Sequence, residues 1–150
     1  MEKEEVWRQI ELMADFFNIC EETIHSLNDG YIDVEELLEI TDKILENKKY
    51  FDQLFIKKVE MMKEIASKID ELKRKNKELD YQLEIYDAKG DHEKYCSIRK
   101  EILNNKKYIG LYKALLIGVY HMGLRNSIIK KLFKLVDKYE EEFIGGSNEK

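Results

Sequence analysis

The chain has 150 residues, of which 38% are charged and 43% hydrophobic, with a formal net charge of −5. That length supports one domain with a real core, and the balance is too apolar for a disordered tail yet polar enough to solvate long helices. No proline forces a helix to stop, and the two cysteines, Cys20 and Cys96, lie too far apart for a CxxC site and read as reduced thiols.

Charge is unevenly distributed. Residues 1–47 hold 3 basic and 14 acidic side chains, a net of −11, whereas residues 48–138 hold 22 basic and 13 acidic, a net of +9. Such asymmetry either neutralises itself within the assembly or marks a polyanion-binding face. The opening MEKEEVW is acidic and lacks the basic and apolar regions of a signal peptide. The most apolar run, Ile109 to Leu124, is interrupted by Lys113 and His121 and is shorter than the roughly 20 residues a membrane span needs. The expectation is a cytoplasmic protein without a membrane segment.

Apolar residues recur three and four apart along the chain, the signature of an amphipathic helix. Helix 1 shows Val6, Ile10, Met13, Phe17, Cys20, Ile24 and Leu27, and Asn28-Asp29-Gly30 ends it. Asp33 with Glu36 reads as a capping box that opens helix 2. Helix 2 keeps a single heptad phase from Val34 to Tyr86, and Gly90-Asp91 breaks and recaps the chain. Helix 3 continues with Tyr95, Ile98, Ile102, Asn105, Ile109, Tyr112, Leu116 and Val119, and helix 4 follows Gly123 with Ile129, Leu132, Val136, Tyr139 and Phe143.

Folding the chain at Gly90 brings the helix 2 and helix 3 stripes into antiparallel register, with Met62 opposite Val119 and Ile69 opposite Tyr112. The one polar exception in each stripe coincides, Asn76 opposite Asn105, and buried asparagines of this kind fix register at a cost in stability. Folding at Gly30 places Phe17 opposite Ile44 and Val6 opposite Phe55. Gly110, Ala114 and Gly118 form a small-residue stripe on helix 3, on which helix 4 is expected to pack. Leu12, Phe16 and Ile19 form a second stripe on helix 1 with no partner in its hairpin, so a homodimer interface is expected there, with a folded-back chain as the alternative.

The predicted fold is therefore all-α, with four main helices in long antiparallel hairpins whose coiled-coil-like seams form an elongated bundle. Residues 1–144 make one helical domain, divided into an acidic hairpin lobe (1–55) and a three-helix lobe (56–144), and 145–150 is a flexible tail.

Chemistry-bearing motifs are sparse. Glu22 and His25 have the ExxH spacing of di-iron bundles, but neither His92 nor His121 has an acidic residue three positions earlier. No glycine-rich phosphate loop, GxSxG or HExxH is present, so no catalytic residue, metal or cofactor is assigned and the chain is not expected to be an enzyme. Two basic clusters stand out: Lys73, Arg74, Lys75 and Lys77 on helix 2, and Arg125, Lys130, Lys131, Lys134 and Lys138 on helix 4. The second opposes the helix macrodipole, which favours acidic residues at the start of a helix and basic ones at its end. Gly123 to Ser127 faintly suggests the turn of a helix-turn-helix. Taken together, the sequence predicts a non-catalytic protein-interaction module, an adaptor, chaperone or inhibitor of bacterial or phage texture. The alternative is an accessory factor that binds nucleic acid, or a nucleoprotein complex, through basic residues of 48–138.

Overall fold

The computed structural model describes residues 2–28 and 34–144, apart from the side chains of Ile24, Leu27, Asn28, Leu124, Arg125 and Ile144. The expected cap at 28–30, the capping box at Asp33 and the tail 145–150 lie outside what is described.

Five α-helices account for nearly all of the described residues: α1 (Lys3–Asn28), α2 (Val34–Glu46), α3 (Gln53–Lys89), α4 (His92–Val119) and α5 (Arg125–Tyr139). Glu4 and Glu5 in the first turn of α1 suit the positive end of its dipole. Val34, Leu37, Ile40, Thr41 and Ile44 make one buried face of α2. The described residues contain no strand, and none of these helices is long and apolar enough to cross a membrane.

The predicted second helix is two helices. After α2 the chain makes a short 3-10 turn, Lys48–Tyr50, and passes through extended backbone at Phe51 and Asp52 before α3 begins. The Asp52 carboxylate accepts the Phe55 N–H at 2.9 Å and so caps α3. The chain reverses here: α2 lies along α3, and Lys63 pairs with Asp42 across them. An apolar rhythm that runs unbroken through 34–86 conceals this reversal, because hydrophobic phase records which face is buried and not which way the chain travels.

At the far end of α3, Gly90 takes φ 72°, a left-handed conformation that costs glycine little. The Asp91 side chain then caps α4 by accepting the Lys94 N–H at 3.3 Å. α3 and α4 run alongside one another. Their common face is Ile69, Leu72, Asn76, Leu79 and Leu83 on α3, with Ile98, Ile102, Asn105, Ile109 and Tyr112 on α4, all buried or half-buried.

The second departure lies at the start of the predicted fourth helix. Gly123 does not end α4. The chain continues through a π-helical turn, Tyr120–Leu124, directly into α5. A π turn inserts one extra residue and rotates the downstream helix without breaking the rod, so α5 cannot double back onto the stripe of Gly110, Ala114 and Gly118. It packs on α1 instead, with the Trp7 and Tyr139 rings 5.3 Å apart. This also removes the turn that a helix-turn-helix would need.

The result is a four-helix base, made of α1, α2, the first half of α3 and α5, from which the rest of α3 and α4 projects as a helical hairpin. Residues buried in the base include Val6, Met13, Phe16, Leu37, Ile44, Val59, Met62, Leu116, Tyr120 and Ile128. Residues on both sides of position 55 therefore share one core, where two lobes divided at that point were expected. Beyond Asn76 no further α3 side chain is fully buried. From Asn76 to Gly90 at 1.5 Å per residue, the projecting part is about 20 Å long.

Candidate interaction surfaces

The expected interface residues on α1 are largely internal. Phe16 is fully buried and meets Phe55 edge-on with ring centroids 5.7 Å apart. Leu12 is 8% exposed, and Ile19 packs partly buried against the same core. The reason is topological: once α2 reverses at 47–52 and α5 runs on from α4, α1 faces α2 on one side and α5 on the other, and both of its apolar stripes are covered within one chain. Leu12, Phe16 and Ile19 are therefore core residues of the single chain, which leaves them too little free surface to form the expected dimer interface. Polar contacts tie α1 down as well. The Tyr120 hydroxyl donates to Glu21 Oε1 at 2.9 Å, and the Tyr50 hydroxyl donates to Glu5 Oε1 at 3.2 Å.

Asn76 and Asn105 meet across the α3–α4 face. Asn105 Nδ2 donates to Asn76 Oδ1 at 2.9 Å, and Asn76 Nδ2 reaches the Ile102 carbonyl at 3.4 Å. Asn76 is buried and Asn105 half-buried, so this pair is a polar layer inside an otherwise apolar contact.

The two basic clusters differ in setting. On α3, Arg74 pairs with Asp70 at 3.1 Å and Lys75 with Glu71 at 3.8 Å, both one turn away on the same helix; Lys77 is exposed and Lys73 half-buried. On α5, Lys130, Lys131 and Lys134 join Lys58 of α3 around a hollow of roughly 420 Å³ that Leu54 and Phe55 also line. Lys131 lies 3.6 Å from Asp52, and Lys58 donates to the Met122 carbonyl at 3.2 Å. Lys138 is exposed on the same helix. Lys58 and Lys73 are about 22 Å apart along α3, so the clusters form two separate patches. Lys58 escaped notice because it falls in the apolar rhythm of the sequence and joins α5 only in three dimensions.

Nothing among the described residues gathers into a reactive constellation. Glu22 and His25 are both exposed. Among the described residues no three histidine, cysteine or carboxylate groups are placed to hold a metal ion. Burial, with Glu21 adding repulsion, pushes the Cys20 thiol far above its ordinary range and holds it neutral. Cys96 is exposed, 3.6 Å from His92 Nε2.

The least expected surface is on α4. Leu111 and Leu115 are each 55% exposed and Tyr108 49%, and Met122 in the π turn is 80% exposed. At 100° per residue these side chains fall on one side of the helix, with Gly118, Ala114 and Gly110 flanking them. Side-chain carbons built at Gly110 and Gly118 would meet nothing within 4 Å. Each glycine costs a helix about 1 kcal/mol against alanine, and no packing within the chain offsets it. The sequence displayed this stripe but implied the wrong neighbour, because the π turn carries α5 away.

These features define an all-helical bundle with a projecting hairpin and an open apolar face where the hairpin leaves the base. No known protein family, no curated protein and no solved structure matches the chain.

Proposed function

We propose that this protein is a non-catalytic interaction module that docks a protein partner on the open face of α4. The observation that carries the reading is the run from Tyr108 to Met122. Its outward face presents Tyr108, Leu111, Leu115 and Met122, while Lys113, its one Lys, Arg, Asp or Glu, is half-buried elsewhere on the helix. Contiguous exposed apolar patches of several hundred Å² mark interaction sites on soluble proteins. Helix-in-groove and helix-on-helix recognition use residues at this three-and-four spacing.

A photo-crosslinking residue placed at Leu111, compared with one at Lys68 on α3, tests the reading in cells of the native host. Protein adducts specific to position 111 are expected. Their absence retires the α4 surface.

A second reading has its own support in the hollow where Lys58, Lys130, Lys131 and Lys134 converge. Lysines clustered this way neutralise phosphates, and binding of that kind falls steeply with salt. Titration with generic RNA and DNA at low and physiological salt tests it. Micromolar binding that Lys130→Gln/Lys134→Gln removes would favour an accessory factor on nucleic acid, and no binding at low salt would exclude one.

A further inference from the structure

Resting on the α4 reading above, we infer that the occupant of this face is a second copy of the same chain, packed antiparallel about a two-fold axis that passes between Ala114 and Leu115. The face is complementary to itself. In an antiparallel pair centred there, residue numbers on facing positions add to 229, so Leu111 of one copy lies over Gly118 of the other. Leu115 likewise lies over Ala114, and Tyr108 over His121. At the centre of the contact a leucine falls on a glycine or an alanine at each step, and the two-fold axis makes each contact twice. The two glycines, whose missing side chains leave open space within the chain, are the positions at which a partner helix would approach most closely.

Charge selects the direction. The segment from Lys94 to Lys107, just before this face, carries Lys94, Arg99, Lys100, Lys106 and Lys107 against Glu101. A parallel pair would set these cations beside their own copies, whereas the antiparallel pair sends them to opposite ends of the interface. Size is adequate too. A face of about 500 Å² doubled across the axis reaches the roughly 1,000 Å² needed for a specific interface. The dimer therefore belongs on α4, where apolar side chains are open, and not on α1, where they are already covered.

Sedimentation equilibrium on the full chain at 5–200 μM, taken as about the range in which an interface of this size assembles, should show a reversible dimer. Leu111→Glu should weaken it about tenfold or more with unchanged far-ultraviolet circular dichroism, since Leu111 is exposed in the single chain. Gly118→Leu should weaken it as well, by filling the space Leu111 needs. In a Cys96→Ser background, Ala114→Cys should give a disulfide-linked dimer under mild oxidation, and Lys68→Cys should not. A monomer throughout that range overturns the second copy, as does a dimer indifferent to both Leu111→Glu and Gly118→Leu. Crosslinking at position 111 separates the two proposals: self-adducts support the dimer, adducts only with another protein overturn it while leaving the docking face, and no adducts remove both.

Discussion

Asn105 donates a 2.9 Å hydrogen bond to Asn76 from the opposite helix of the projecting hairpin. Because Asn76 is buried, removing either partner strands an amide away from water, which costs about 1–3 kcal/mol. Asn105→Ala should therefore destabilise the protein by that amount in urea denaturation. Replacing both residues with leucine should stabilise it, since an apolar layer needs no satisfied donors. The double variant should also lose discrimination between registers, seen as broadened amide signals from 70–110. A double variant less stable than either single one would show that the pair supplies net stability and does not act chiefly on register.

Phe16 supplies the second test. It is fully buried against Phe55, so Phe16→Ala should cost about 3–5 kcal/mol. The loss should be the same at every protein concentration, because Phe16 is covered within one chain. A loss that shrank as the protein was concentrated would place Phe16 in an interface.

Thiol reactivity should separate the two cysteines. Cys20 is buried, its thiol held neutral by desolvation, whereas Cys96 is exposed. Since the thiolate is the nucleophile, alkylation in native buffer should modify Cys96 alone, and Cys20 only after unfolding. The linkage has a definite sign. Folding raises the Cys20 pKa, so above about pH 9, where the unfolded thiol ionises, the unfolded chain holds fewer protons and stability falls as pH rises. Cys20→Ser should flatten that alkaline slope.

How far the fold was legible depends on what marks each turn. The α3–α4 hairpin was readable because Gly90 and Asp91 are residues that end one helix and cap the next, and because Asn76 and Asn105 interrupt matching stripes. The reversal at 47–52 was not, since Asp52 is one aspartate in a charged stretch, and its capping role depends on the Phe55 N–H. Gly123 misled in the other direction: glycine is a frequent helix terminator, but here the helix absorbs it in a π turn. From those two local differences came the larger ones, that α1 is covered on both sides and that α4 is left open. The basic residues of α5 were visible in sequence, but their convergence with Lys58 required the tertiary fold.

The charged hollow predicts a separation of stability from binding. Lys130 and Lys134 are exposed, and exposed charges contribute about 0–1 kcal/mol each. Lys130→Gln/Lys134→Gln should therefore leave the melting temperature within a few degrees, by the usual scale of about 4–8 °C per kcal/mol for small domains. A large fall in melting temperature would make the cluster structural, a complement to the acidic α1 and α2.

Asp52 holds two roles that substitution can divide. Its carboxylate caps α3 through the Phe55 N–H at 2.9 Å and lies 3.6 Å from Lys131 of α5. Asparagine keeps an oxygen that can cap but loses the charge, whereas alanine loses both. Losing an N-cap costs about 0.5–2 kcal/mol, and the ion pair, with both side chains more than a third exposed, is worth less than about 1 kcal/mol and is screened by salt. Asp52→Ala should thus be clearly destabilising and Asp52→Asn nearly neutral, with the difference between them unchanged from about 0.05 to about 0.5 M salt. The location makes the cap more than a local matter, because it fixes where the chain turns from α2 into α3. If the cap were lost, helix could propagate backward through 47–52 along the unbroken apolar rhythm, towards the single long helix that the sequence alone suggests. Far-ultraviolet circular dichroism of Asp52→Ala would then show a gain in helix alongside the loss in stability. Equal destabilisation by alanine and asparagine, abolished at high salt, would instead assign the turn to the contact with Lys131.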